Sequence, residues 1–150
     1  MIQNKPIHIF LADDDDDDTF LFREALDQIQ IQVRLEVAEN GMELMHSLKS
    51  NRAIPDVIFL DMNMPVKNGL ECLQEIRNSD NLKQVPVVIL STSIAKYLLE
   101  SAHKAGANLY IQKPTSFSDL VTVLKNCLLK TTTLEYPLDL EQFLIKNEHN

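Results

Sequence analysis

Residues 56–65 read DVIFLDMNMP. Val57–Leu60 is a short apolar run with no polar alternation, as in a strand buried on both faces. It stops at the carboxylate of Asp61, and Pro65 with Lys67-Asn68-Gly69 then supplies turn chemistry. The same design recurs along the chain. Ile7–Ala12 runs into Asp13–Asp18, Val87–Leu90 into Ser91-Thr92-Ser93, and Leu109–Ile111 into Gln112-Lys113-Pro114. Val33–Val37, ending in Ala38-Glu39, is a fifth run, expected at an outer position.

Between these runs lie stretches with helical spacing. The stripes are Phe22, Ala25, Leu26 and Ile29; Met42, Leu44, Met45 and Leu48; Leu70, Leu73 and Ile76; Leu98, Leu99, Ala102 and Ala105; and Phe117, Leu120, Val121, Leu124 and Leu128. Strands alternating with helices predict an α/β fold, a parallel sheet covered on both faces and joined by right-handed crossovers.

Composition narrows the classes of function. The chain has 150 residues, enough for one domain with a sizeable core. Its net charge of −8, with no basic cluster interleaved with aromatics, argues against nucleic-acid binding. No apolar run is long enough for a membrane span, and the N-terminus does not read as a secretory signal, so a cytoplasmic protein is expected. Cys72 and Cys127 are 55 positions apart, which excludes a metal knuckle and predicts buried thiols. His8, His46, His103 and His149 lack partners at useful spacing, so none is read as catalytic.

In an open parallel sheet, ligands bind beyond the carboxyl ends of the strands. Those ends here carry Asp13 and Asp14, Asp61, Ser91 and Lys113. Clustered carboxylates repel unless a positive charge compensates. A hard divalent cation such as Mg²⁺ suits that oxygen set, and Lys113 adds a point charge fit for phosphate. The residue types thus specify a site for a phosphoryl group. Asp61, between the acidic pair and Lys113, is the natural nucleophile for an aspartyl phosphate. Ser91 is placed to hydrogen-bond a phosphoryl oxygen.

The strings IHIFLADDD, DVIFLDMNMP, NGLE, VPVVILSTS and AGANLYIQKP, in that order, resemble the receiver domain of two-component response regulators over about Ile7 to Lys130. DMNMP followed by NG is the most specific of them. The resemblance implies a doubly wound, five-stranded, flavodoxin-like three-layer sandwich of strand order 2-1-3-4-5. It matches Asp13 and Asp14 to the acidic Mg²⁺ pair, Asp61 to the phosphoacceptor and Asn63 to the backbone carbonyl ligand. Ser91 matches the switch hydroxyl, Lys113 the site lysine and Tyr110 the aromatic switch. On phosphorylation Ser91 would move toward the phosphoryl group and Tyr110 would swing inward, altering the face made by the fourth helix, fifth strand and fifth helix. A sensor histidine kinase or phosphotransfer protein is the implied donor, with self-catalysed phosphorylation and slow hydrolysis as the only chemistry.

Two departures stand out. Thr92 replaces a common Ala, and Asp16–Asp18 exceed what the site needs; their simplest role is to favour the dipole of the first helix. An aspartate-nucleophile phosphohydrolase would need a second Asp two positions after the nucleophile, where Asn63 stands. A degenerate module that keeps the fold alone is disfavoured because every site residue is present. The expected organisation is a stand-alone receiver over 1–130 and a tail over 131–150, with a frayed terminus or a short amphipathic helix across Leu138–Ile145. Tyr97, Leu98 and Leu99 leave apolar surface to spare, which hints at a partner or homodimer face.

Overall fold

The computed structural model describes residues 5–50, 54–130 and 140–146. Five strands alternate with five helices: β1 (Ile7–Ala12), α1 (Asp16–Ile29), β2 (Val33–Ala38), α2 (Gly41–Ser50), β3 (Val57–Asp61), α3 (Gly69–Asn78), β4 (Val87–Ser91), α4 (Lys96–Lys104), β5 (Leu109–Gln112) and α5 (Phe117–Lys130). The sheet is parallel throughout and its order begins 2-1-3-4-5, as expected. Every residue of β3 and β4 is buried, which is why these runs carry no polar alternation. The edge strand β2 is fully buried only at Ala38.

The sheet divides the core. On one face Phe22, Ala25 and Leu26 of α1 pack with Leu124, Cys127 and Leu128 of α5. On the other, α2 and α3 contribute Leu44, Met45, Leu48, Cys72, Leu73 and Ile76. Both cysteines are buried thiols; burial pushes that of Cys72 up to about 11.

Two helical stripes differ at their ends from expectation. Met42 is 55% exposed, and the core position in that turn belongs to Gly41, where a Cβ would lie 2.1 Å from the Lys67 carbonyl oxygen. The loop after β3 presses so closely on α2 that only glycine fits there. Phe117, at the start of α5, is also exposed. In α4 only Ala102 is fully buried; Leu98 and Leu99 are half-buried against the core, and Tyr97 is 69% exposed.

A further element lies beyond the expected sheet. In the tail, 131–139 fall outside the described residues, but α6 (Leu140–Phe143) and β6 (Leu144–Ile145) are described. β6 pairs in parallel with β5, Tyr110 opposite Leu144 and Ile111 opposite Ile145, making a six-stranded sheet. Phe143 is completely buried; its ring meets Tyr110 at 6.1 Å and His103 edge-on at 5.0 Å.

The loop after Asp61 contains a strained residue. Val66 has φ 70° and is 77% exposed, while the Lys67 N–H donates to the Pro65 carbonyl at 2.7 Å. This is a tight turn centred on a positive φ, a conformation costly for a β-branched side chain. Val66→Gly removes that strain at the expense of a looser unfolded chain. A net gain of roughly 0.5–1 kcal/mol is expected, read as a higher urea midpoint at unchanged slope.

Candidate functional site

β1, β3, β4 and β5 end side by side, and their register brings the polar ends to one rim. Asp13 follows β1 with its backbone held by the Ala38 carbonyl at 3.0 Å. Asp61 ends β3 and Ser91 ends β4. Lys113 follows β5, its N–H bonded to the Ser91 carbonyl at 2.8 Å. The structure thus brings together the carboxylates, hydroxyl and ammonium expected from the sequence.

Carboxylate oxygens of Asp13, Asp14 and Asp61 lie within 4.8 Å of one another. Asp13 and Asp61 are buried; Asp14 is exposed. Asp13 accepts from the Asp15 N–H at 3.0 Å, and Asp61 from the Asn63 N–H at 3.1 Å, which fixes the loop carrying the Asn63 carbonyl. Burial, followed by the neighbouring charge of Asp61, pushes the Asp13 carboxyl up to about 6, against the opposing pull of the Asp15 N–H and Lys113. An all-oxygen acidic set with two of its three carboxylates buried fits a hard divalent cation.

Lys113 closes the notch. Its ammonium donates to Asp18 at 2.8 Å and to Asp13 and Asp61 at 3.2 Å each. Burial alone would favour the neutral amine, but the hydrogen bond to Asp18 and the charges of Asp61, Asp13 and Asp18 outweigh it and raise its pKa. Asp18 is the member of this set that sequence reading passed over. The acidic run divides its work. The Asp15 side chain caps α1, accepting from the N–H groups of Asp17 and Asp18, and Asp16–Asp18 lie in the first turn as expected. Asp18 also reaches Lys113, 95 positions away. A run of identical residues gave no signal to single it out.

Ser91 and Tyr110 lie one layer in. Ser91 is buried and accepts from the Ser93 N–H at 3.2 Å. Tyr110 is fully buried, and its hydroxyl donates to the Ser93 carbonyl at 2.7 Å. The inward position is therefore the one seen here, with Phe143 packed against the ring. Thr92 is exposed.

α3 begins against the loop that follows Asp61. Asn68 and Glu71 form a reciprocal capping box. A Cβ on Gly69 would stand 2.4 Å from the Asp61 carbonyl oxygen, so glycine is required where the helix meets β3.

Residues 9–125 match the response regulator receiver domain family model. Response regulator Rcp1 of Synechocystis is 32% identical over 139 residues, covering 87% of this chain and 95% of that protein. The probable methanogenesis regulatory protein FilR2 of Methanothrix harundinacea is 31% identical over 119 residues, covering 77% of each. Among solved structures, the phosphorylated cyanobacterial phytochrome response regulator RcpA superposes with a TM-score of 0.79 at 34% identity, covering 86% of this chain and 96% of that one. The Mn²⁺-bound form of Rcp1 gives 0.76 at 29% identity, covering 89% and 100%. The chain belongs to the response regulator receiver domain family, whose members act in two-component phosphorelay signalling and bind a divalent metal. Among the described residues, no helix is long and apolar enough to cross a membrane.

Proposed function

We propose that Asp61 accepts a phosphoryl group from the phosphohistidine of a sensor histidine kinase or phosphotransfer protein, at a Mg²⁺ site made by Asp13, Asp14, Asp61 and the Asn63 backbone carbonyl. The observation that carries this is the meeting of Asp13, Asp14 and Asp61 under a lysine that touches both Asp13 and Asp61. When bound, the metal neutralises charge on the transferring group. An Asp61 carboxylate oxygen forms the new O–P bond as the P–N bond of the donor breaks, and the electron pair leaves with the imidazole. Lys113 stabilises the phosphoryl oxygens as a fixed positive charge, and the Ser91 hydroxyl donates to one of them. Ser91 and Tyr110 both bond to Ser93, in the loop that leads into α4. Movement of Ser91 would pass through that loop to the α4–β5–α5 face and change which protein it binds. The proposed compartment is the cytoplasm.

Intact-mass measurement with phosphoramidate and Mg²⁺ tests the reading. The expected result is one phosphoryl group on the unaltered protein and none on Asp61→Asn. A modification that survives Asp61→Asn overturns it, as does its absence from the unaltered protein.

A further inference from the structure

The Lys113 ammonium lies closer to Asp18, at 2.8 Å, than to Asp13 or Asp61, at 3.2 Å each. An ammonium has three donors, and three carboxylates surround this one: Asp13, Asp18 and Asp61. In the reading above, Asp13 and Asp61 turn their oxygens to a divalent cation and to the phosphoryl group. Both would then pull less on Lys113, a strongly hydrated charge on a flexible stem. Asp18 is the carboxylate of the three that neither the metal nor the phosphoryl group claims. Its backbone is fixed independently, because the Asp15 cap holds the Asp18 N–H in the first turn of α1.

Resting on that functional reading, we infer that Asp18 is a positioning residue for phosphoryl transfer, anchoring the Lys113 ammonium at the rim while its remaining donors pass from Asp13 and Asp61 to the phosphoryl oxygens. The chain of control runs from the Asp15 cap to Asp18, then to Lys113 and Asp61.

The test combines Asp18→Ala, Asp18→Glu, Lys113→Ala and the double variant Asp18→Ala/Lys113→Ala. Phosphorylation rates with phosphoramidate at saturating Mg²⁺ are read beside Mg²⁺ affinity by calorimetry and thermal midpoints. Asp18→Ala is expected to slow phosphorylation about tenfold, the worth of one charge-assisted hydrogen bond. Asp18→Glu, which keeps the carboxylate, should recover most of the rate. The double variant should be no slower than Lys113→Ala alone, because without the ammonium Asp18 has nothing to hold. Additive losses overturn the inference. A fall in Mg²⁺ affinity of more than about tenfold in Asp18→Ala overturns it too, since Asp18 would then act on the metal. So does an unchanged rate with a lowered thermal midpoint, the mark of a helix-dipole role alone. If the unaltered protein takes no phosphoryl group, the functional reading fails first. The anchor is then judged by the NMR signal of the Lys113 ammonium, which Asp18→Ala must broaden through faster hydrogen exchange.

Discussion

Phe143→Ala is expected to destabilise the protein by about 3 kcal/mol, a drop in thermal midpoint of roughly 10 °C for a chain of this size. The phenyl ring is wholly buried against Tyr110 and His103 and belongs to the same core cluster as Tyr110 and Ile89. Truncation removes the transfer free energy of the ring and leaves a cavity over Tyr110. Because β6 is only two residues long, the strap could instead detach, which caps the loss at the free energy of its docking. Urea titrations separate these outcomes: an unchanged slope signals a cavity, a reduced one a strap already released. A loss below about 0.5 kcal/mol would show that α6 and β6 add nothing to the fold.

The second large effect concerns acid. The Asp13 carboxyl is raised from 3.8 to about 6, chiefly by burial. Between these values the folded protein keeps a proton that the unfolded chain has released. Asp13 should therefore add about 2 kcal/mol to metal-free stability as pH falls from about 7 toward 4. Divalent metal requires the ionised carboxylate, so metal affinity should move the opposite way and fall below about pH 6. Unfolding in urea at pH 5 and 7.5, with chelator and with Mg²⁺, checks both signs. Asp13→Asn should raise metal-free stability at pH 7.5 and flatten its pH dependence. A lower metal-free midpoint at pH 5 than at pH 7.5, unaffected by that substitution, would refute the account.

The parallel sheet and most of its rim were legible because each buried strand is a short apolar run that stops on a polar residue. Asp61, Ser91 and Lys113 announce themselves by that abrupt change, and backbone register alone then sets them side by side. What escaped has equally physical reasons. Asp18 sits inside six identical aspartates, and its partner is remote in sequence. Periodicity cannot reveal a strand of two residues, and Phe143-Leu144-Ile145 shows neither alternation nor helical spacing. Met42 satisfies the helical stripe as well as its neighbours do. Its exposure follows from the approach of the Lys67 carbonyl to Gly41, a tertiary fact.

The links from Lys113 to Asp13, Asp18 and Asp61 join residues separated by 100, 95 and 52 positions. Closing such long loops is entropically expensive and comes late in assembly. A nascent chain that has already paired β1 with β3 holds its acidic rim without a counter-charge until β5 arrives. Divalent cation present during refolding should therefore occupy that rim once β1 and β3 have paired, before Lys113 docks.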